Sequence, residues 1–320
     1  MIVNISPKTA EWHIFRNQHL GASEIPAFFA GAEDLPIYTK SAYALWMVKA
    51  GYINDDFDEI ERQDQRVYWG IVDEPTTATG IAKLRGWTIG PGPVVEDDVC
   101  PRLSASIDFL VHDFGADEAM WKACGGGSGP WPAEVKSVGD DIKRERWTDP
   151  DGRQRPPPYT TLQHQAQLAC TGAPGGPIVA RFGGNDCHAW GYKRLEKTIG
   201  RIRHEVTAFW ESIAWGVRPE PDWTPSCYAA IKAAFPNRIR EEMPMTPEIA
   251  AHLIPACHTL LLERANEKNA KRRADEARAV ILDAVQEYDF ATAGDDTSSY
   301  RIKISANGAL KVEELIGRIP

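Results

Sequence analysis

The chain contains 320 residues, of which 43 % are hydrophobic and 25 % are charged, and this size and composition predict a soluble globular protein with a full hydrophobic core. The formal net charge of −9 at pH 7 excludes a protein that coats nucleic acid nonspecifically, because such binding depends on many Lys and Arg side chains that neutralise phosphates. It leaves open a DNA enzyme, since divalent cations held by clustered carboxylates reverse the local field where phosphate must approach.

We find neither a membrane-spanning segment nor a signal peptide in the sequence. No apolar run approaches the roughly 20 residues that a membrane helix needs, and the first residues lack the basic and apolar sections of a signal peptide. The six cysteines lie far apart, without a CxxC pair or a zinc-like spacing, which favours reduced thiols in the core. We therefore expect a cytoplasmic protein without membrane contact.

The N-terminal part is predicted to be helical. Short helices broken by turns are expected at Glu11–Leu20, in the segment that follows Ser23 as an N-cap, and at Ser41–Lys49. The apolar spacing from Val67 to Leu84 predicts a longer helix that carries Glu74.

A mixture of strands and helices follows. Three extended stretches are predicted at Trp87–Val95, Arg102–His112 and Trp131–Val138, the last two separated by a glycine-rich turn. A helix is expected at Tyr159–Thr171, and a β-hairpin is expected from residues 178–182 and 188–192.

The C-terminal part is predicted to be mainly helical. Helices are expected at Glu196–Trp215 and over the long stretch Pro247–Tyr288, whose charge-rich centre indicates an exposed or paired helix. A short β-like tail at Tyr300–Val312 ends the chain. We expect one domain over residues 1–215 and a mostly helical extension with this β tail over residues 216–320.

Two of the predicted strands carry residues suited to phosphodiester hydrolysis. Glu134 and Lys136 alternate along one strand and share a face, and Asp108 on the preceding strand lies beside Glu134 if the two strands pair. Two carboxylates and a backbone carbonyl form an all-oxygen site that suits Mg²⁺ or Mn²⁺, and Lys136 can orient or deprotonate the attacking water. A Glu-x-Lys triplet occurs by chance about once in a chain of this length, so solvated charges on an edge strand are the alternative interpretation.

The order of the motifs adds information that the triplet lacks. They are, in chain order, Trp12, Arg16, Gly21-Ala22-Ser23-Glu24-Ile25, Trp46, Lys49, Gly51, Trp69-Gly70, Glu74-Pro75, Ser106, Asp108, Glu134-Val135-Lys136-Ser137, and the glutamine-rich run from Gln163 to Gly172. This order resembles the PD-(D/E)xK nuclease core and, more narrowly, the YqaJ-type viral recombinase family that includes the phage lambda exonuclease. The resemblance covers roughly residues 12–192.

The resemblance implies an α/β (α+β) fold with a restriction-endonuclease-like core, in which a small mixed β-sheet is flanked by helices and followed by a helical C-terminal extension. It implies that Asp108 and Glu134 are metal ligands, helped by the carbonyl of Val135, and that Lys136 is the catalytic lysine. Glu74 would be an additional acidic ligand or would hold the water. Gln163 or Gln165 would position the water or the phosphate. Gln163 and Gln167 share a helix face and Gln165 points elsewhere, and the sequence leaves open which glutamine is used.

The resemblance also implies a pocket for a terminal 5′ phosphate, formed by Arg16 and Ser23, with Ser106 as a further phosphate contact. A guanidinium gives bidentate phosphate contacts, and a helix N-terminus adds free N–H donors. Ser23 as a plain helix cap and Arg16 as a surface residue are the alternative interpretation.

The function implied by the resemblance is a Mg²⁺-dependent exonuclease, for which Mn²⁺ is a possible substitute, acting on the ends of linear double-stranded DNA. Cleavage from 5′ to 3′ would leave 3′ single strands for phage-type recombination in a bacterial host, with a homo-oligomer, such as a trimer, and a single-strand annealing protein as partner. The alternatives are an endonuclease on the same core, including a Cas4-like enzyme whose four cluster cysteines this spacing does not supply, and an inactive DNA-end-binding scaffold.

The chain departs from the family pattern at two places. Ser106-Ile107-Asp108-Phe109 stands where the family usually has Ser-Pro-Asp-Gly, so the ligand is kept and the turn is altered. The stretch between Asp108 and Glu134 is longer than expected, and we interpret it as a hairpin extension or a surface insertion.

Overall fold

The computed structural model describes residues 1–5, 9–29, 40–55, 64–236, 242–295, 298–305 and 309–315. The chain divides into two compact units, residues 1–238 and residues 239–320. Each unit is described by itself.

The first unit combines nine described helices, one 3₁₀ helix and eight α-helices, with nine strands. The helices are a 3₁₀ helix at Ala22–Phe28 and the α-helices α1 Ala10–Asn17, α2 Ala42–Lys49, α3 Gln65–Arg85, α4 Glu118–Ala123, α5 Asp140–Arg146, α6 Pro158–Thr171, α7 Glu196–Ala214 and α8 Pro225–Ala234. The strands are β1 Ile2–Val3, β2 Leu20–Gly21, β3 Thr88–Pro91, β4 Val94–Glu96, β5 Leu103–Ser106, β6 Phe109–Asp113, β7 Trp131–Val138, β8 Gly175–Phe182 and β9 Asp186–Lys193.

The strands of the first unit form two sheets. The larger sheet has the order β3-β6-β7-β8-β9, in which β7 and β8 are parallel and the other neighbours are antiparallel. The smaller sheet has the order β1-β4-β5-β2. The predicted fold class, with a mixed sheet flanked by helices, and the predicted hairpin of β8 and β9 are confirmed.

The two faces of the larger sheet are covered by different helices. Val135 and Val179 pack in one hydrophobic cluster with Ala78 and Ile81 of α3. On the opposite face, α6 lies over β7, and its side chain Gln167 contacts Glu134. Since successive residues of a strand point to opposite faces, β7 presents Glu134 and Lys136 toward α6 and Val135 toward α3.

Two long extended stretches are divided between the sheets. Trp87–Val95 becomes β3 and β4, and Arg102–His112 becomes β5 and β6, so both connections cross from one sheet to the other at the same place. The crossing depends on Gly92, where an added Cβ atom would lie 2.0 Å from the carbonyl oxygen of Ile107. Asp108 occupies the bend between β5 and β6. The prediction that Asp108 lies within a strand is wrong for this reason.

The long connection between β6 and β7 contains the short helix α4 and the glycine-rich turn. The indole of Trp121 donates a hydrogen bond to the carbonyl oxygen of Gly127 at 3.1 Å, and the indole of Trp131 donates one to Gly126 at 3.4 Å. The first bond ties the turn to α4, and the second ties it to the start of β7. Because β6 and β7 are antiparallel neighbours, the connection is an elaborated hairpin, in accord with the expected extension.

The second unit contains the 39-residue helix α9, Pro247–Val285, and a small antiparallel sheet. Its strands are β10 Phe290–Gly294, β11 Ser299–Ile304 and β12 Leu310–Glu314, in the order β10-β11-β12. Helix α8, by contrast, packs in the first unit, where Ser226 accepts a hydrogen bond from the backbone N–H of Ser41 at 3.1 Å. The domain boundary expected after residue 215 stays a prediction.

The six cysteines form no disulfide. Cys100, Cys124, Cys170 and Cys227 are buried, and Cys187 is half-buried. The expectation that all six are core thiols is wrong for Cys257, which is exposed on α9. Within the described ranges, no helix has the length and apolar character needed to cross a membrane.

A buried ion pair fastens the smaller sheet to α7. The Asp97 carboxylate is fully buried, accepts backbone hydrogen bonds from Val99 at 2.8 Å and Cys100 at 2.6 Å, and pairs with the guanidinium of Arg203 at 2.8 Å. A carboxylate without solvent depends on such partners, because the loss of hydration must be offset by charge and hydrogen bonding.

Arg203→Ala is expected to lower the free energy of unfolding by about 3 kcal/mol, because it leaves the buried Asp97 carboxylate without its cation. Arg201→Ala, on the same helix, removes only an exposed pair with Glu205 and is expected to cost less than about 1 kcal/mol. Urea unfolding followed by tryptophan fluorescence measures both losses. Equal losses in the two variants would show that burial of Asp97 does not govern the stability of this contact.

Candidate active site

The register of β6 and β7 places Asp108 next to Glu134. Phe109 lies opposite Ala133 in the antiparallel pair, so the residue before Phe109 flanks the residue after Ala133. The Asp108 carboxylate accepts a hydrogen bond from the backbone N–H of Val135 at 2.8 Å, which fixes it against β7. The structure thus brings Asp108 and Glu134 together. The sequence analysis predicts this proximity only on the condition that the two strands pair.

Glu134 is the most deeply buried acidic group of this cluster, with no exposed side-chain surface. One carboxylate oxygen forms an ion pair with the ammonium of Lys136, whose side chain is 28 % exposed. The other accepts a hydrogen bond from the amide nitrogen of Gln167 at 2.5 Å. The buried charge is therefore compensated from the same strand and from α6, while Lys136 remains within reach of solvent.

His164 continues this chain of contacts into the protein. Its Nδ1 atom lies 3.1 Å from the amide oxygen of Gln167, whose nitrogen donates to Glu134. Because an amide oxygen can only accept, Nδ1 must carry the hydrogen. Burial lowers the pKa of His164, against the opposing effects of Gln167 and the Glu134 charge, so the ring is neutral at neutral pH.

The electrostatics of Asp108 reflect its burial first and the clustering of like charges second. Burial raises the pKa of the Asp108 carboxyl well above its usual value, and the charges of Glu134 and Glu74 raise it further. The Lys136 ammonium and the Val135 N–H oppose this rise without cancelling it. Asp108, Glu134 and Glu74 therefore form one acidic centre in which a further positive charge is favourable.

Glu74 reaches this centre from α3. The helix is anchored to the sheet by an ion pair at 2.6 Å between Asp73, the preceding residue, and Arg181 of β8. Glu74 itself is half-buried. The helix thus brings a third carboxylate close enough to influence the proton affinity of Asp108.

The donor atoms of this centre suit a hard divalent cation. Within the described residues, no three His, Cys, Asp or Glu side chains already converge in metal-binding geometry. Carboxylate and carbonyl oxygens from Asp108, Glu134, Glu74 and Val135 are nevertheless the ligand types that Mg²⁺ and Mn²⁺ accept, and Mg²⁺ retains several waters beside one or two carboxylates. Burial raises the pKa of Asp108 most, the Glu134 and Glu74 charges raise it further, and a bound cation would offset both effects.

The three glutamines of α6 have different surroundings. Gln167 contacts Glu134, whereas Gln165 donates to the carbonyl oxygen of Lys193 at 2.8 Å and accepts from the N–H of Leu195 at 2.9 Å. Gln165 therefore holds the start of α7, and the geometry does not bring it to the acidic centre. Gln163 is half-buried one turn before Gln167. The four-residue spacing in the sequence indicates the shared face, but no sequence signal identifies His164.

Arg16 lies in a second charged cluster at the N-terminal side of the unit. Its guanidinium pairs with Glu24 at 3.1 Å and with Asp55 at 3.3 Å. Lys49 also pairs with Glu24 at 3.1 Å, and Lys40 pairs with Asp55 at 3.2 Å. Among the described residues, these three cations surround two carboxylates, and Arg16 is a largely buried member of this network rather than a surface residue.

The carboxylates of this cluster are stabilised in their charged form. Burial alone would raise the pKa of Glu24, but the charges of Lys49 and Arg16 and the N–H of Gly21 lower it overall. Burial likewise acts to raise the pKa of Asp55, and Lys40 and Arg16 lower it overall. Both carboxylates are therefore charged at neutral pH.

The two serines predicted to contact phosphate are exposed. Ser23 is not the N-cap, because Gly21 holds that position and Glu24 accepts the hydrogen bond from its N–H at 2.8 Å. Ser106 ends β5 two residues before Asp108. The hydroxyl groups are thus accessible to a ligand, and their phosphate role stays a prediction.

Comparison with known families accounts for this arrangement. Residues 11–174, just over half of the chain, match the family model of the YqaJ-like viral recombinase domain. The chain belongs to this family. The YqaJ resemblance of the sequence motifs is thereby confirmed, and membership in the YqaJ-like family supports a DNA nuclease.

Two solved structures similar to this YqaJ-like protein are of an alkaline exonuclease. LHK-Exo from Laribacter hongkongensis shares 18 % identity with a TM-score of 0.49, and the match covers 72 % of this chain and 100 % of that chain. LHK-Exo in complex with dAMP gives 18 % identity, a TM-score of 0.48 and the same two coverages. A search of curated proteins finds no match.

The contrast between Gln167 and Gln165 yields a test of the site. Gln167→Leu is expected to lower the rate of DNA hydrolysis roughly 10- to 100-fold, because residues that orient metal-binding groups have effects of this size. Gln165→Leu, matched in chemistry and helix, is expected to lower stability but to leave the rate within a few-fold at a temperature where the variant is folded. Turnover of linear duplex and circular dichroism measure the two effects, and a larger rate loss in Gln165→Leu would reverse the assignment.

Proposed function

We propose that this protein is a metal-dependent exonuclease that degrades linear double-stranded DNA from 5′ ends and leaves 3′ single strands for phage-type recombination. The observation that carries the proposal is the convergence of Asp108, Glu134 and Lys136 where the bend before β6 meets β7, the central strand of the larger sheet. The YqaJ-like family supplies the substrate class. The 5′ to 3′ direction and the recombination role follow from the family resemblance.

The residues of the acidic centre have different proposed roles in hydrolysis. Asp108, Glu134, the carbonyl of Val135 and Glu74 would hold Mg²⁺ or Mn²⁺. When bound, such an ion lowers the pKa of a coordinated water and offsets charge on the scissile phosphate. Lys136 is partly exposed and held by Glu134, so its ammonium can orient the attacking water and stabilise charge on the phosphate. Gln167 keeps Glu134 in place through its amide.

The Arg16 cluster supports recognition of a terminal 5′ phosphate. Among the described residues, Arg16, Lys40 and Lys49 lie together around the carboxylates of Glu24 and Asp55. A guanidinium already oriented by carboxylates loses little further freedom when it binds an anion. We propose that Arg16, with Ser23 and Ser106, selects the 5′ end.

The proposed assembly and setting follow from the resemblance. A homo-oligomer, such as a ring-shaped trimer, and a single-strand annealing protein are the expected partners, in the cytoplasm of a bacterial host. A comparison of linear with circular duplex separates the proposed exonuclease from an endonuclease, which would nick circles, and from a scaffold, which would bind without cleavage.

The decisive experiment incubates linear and circular duplex with the protein in Mg²⁺, Mn²⁺ or EDTA. We expect digestion of the linear duplex only, its loss in EDTA, and a reduction of at least about 100-fold in Asp108→Ala and Lys136→Ala. Lys122→Ala, which removes an exposed lysine paired with Glu118, serves as the control and should retain activity. Full activity of both site variants, with folding retained, would refute the proposed centre.

A second experiment compares 5′-phosphorylated with 5′-hydroxyl linear duplex. The wild-type protein is expected to prefer the phosphorylated end, and Arg16→Ala is expected to lose this preference, because the guanidinium supplies the phosphate contact. The ratio of the two rates is the readout, since a loss of stability in Arg16→Ala would slow both substrates alike. An unchanged ratio in folded Arg16→Ala would restrict Arg16 to the ion-pair network.

A further inference from the structure

Helix α9 is long, and nearly all of its residues are exposed. It spans 39 residues, which corresponds to about 58 Å, and Val285 at its C-terminal end is its buried residue. Residues 251–280 are all exposed. Leu253 and Leu260 are 42 % and 52 % exposed, so large apolar side chains of this helix face solvent in a single copy of the chain.

The exposed residues follow a heptad pattern that alternates steps of four and three. The positions of this seam are Ile249, Leu253, Ala256, Leu260, Glu263, Glu267, Ala270, Ala274, Ala277, Ile281 and Ala284. Nine of these eleven positions are apolar, and a repeat of 3.5 residues over five heptads is the pattern of a two-helix coiled coil. Large residues lie in its first half and alanines lie mainly in its second half.

We propose that the seam of α9 pairs antiparallel with the same seam of a second copy of the chain. In the proposed register, the numbers of two facing residues add up to 537. Leu253 therefore meets Ala284 of the second copy, and Leu260 meets Ala277. Ala256 likewise meets Ile281. Each large side chain thus fits a small one, which is the packing that a close helix pair requires.

The charges of the helix favour this register. Glu263 and Glu267 in the seam face Ala274 and Ala270 of the second copy, and the flanking residues there are Arg273 and Lys271. Glu267, Lys271 and Arg273 have no ion-pair partner among the described residues, so all three are available for pairing between copies. The ion pairs of Arg272 with Glu276 and of Arg278 with Asp275 are formed within the helix.

Other arrangements bring unfavourable contacts. A parallel pair sets Glu263 and Glu267 against the same residues of the second copy, and like charges that face each other across a helix interface are unfavourable. A shift of one heptad in the antiparallel pair sets Glu263 opposite either Glu267 or Ile281. The size pattern and the charge pattern therefore select the same orientation and register.

The mass of the full-length protein, measured by light scattering after gel filtration, tests the contact. The double variant Leu253→Asp/Leu260→Asp is expected to have half the particle mass of the wild type. Leu262→Asp introduces the same charge at an exposed leucine outside the seam and should keep the wild-type mass. A wild-type particle of one or three copies, an unchanged mass in the double variant, or equal dissociation by Leu262→Asp would overturn the proposal.

Charge reversal and cross-linking test the register. Glu267→Lys and Lys271→Glu are each expected to weaken association about tenfold, and the double variant is expected to restore it, because the two residues pair reciprocally. In a Cys257→Ser background, Ala256→Cys together with Ile281→Cys should form a disulfide between copies, whereas Ala256→Cys alone should not. Cross-linking by Ala256→Cys alone would indicate a parallel pair and contradict the proposal.

Discussion

The architecture of the acidic centre depends on the burial of one charged group, the carboxylate of Glu134. A carboxylate without solvent exposure is stable only where cations and hydrogen-bond donors replace water. Lys136 on the same strand and Gln167 on α6 supply these partners. Strand β7 and helix α6 are thus held in one relative position by the group that the proposed chemistry uses.

The second carboxylate is positioned by the path of the chain. Both long extended stretches leave one sheet and enter the other near Gly92, and Asp108 occupies the bend that results. The backbone N–H of Val135 then holds the Asp108 carboxylate beside Glu134. A turn between two sheets, rather than a regular strand, therefore sets the distance between the two acidic groups.

Much of this arrangement could be predicted from the sequence, since the alternation of Glu134 and Lys136 on a strand and the helix that carries Glu74 follow from local periodicity. The bend at Asp108 could not be predicted from the sequence. The division of each extended stretch between the two sheets depends on contacts between residues that are distant in the chain. The contacts of Gln165 and Arg16 could not be predicted from the sequence either. Their partners, Lys193 and Leu195 in one case and Glu24 and Asp55 in the other, are set by tertiary packing.

The close approach at Gly92 has a consequence for the interpretation of mutants. Any side chain there would collide with the backbone that leads into Asp108, and that backbone is fixed by hydrogen bonds from Gly92 to Asp108 and from Ile107 to Pro93. A saturation library at position 92 should therefore yield inactive proteins in which every proposed ligand is intact. Loss of activity at this position would report displaced geometry in a chain whose chemical groups are all still present.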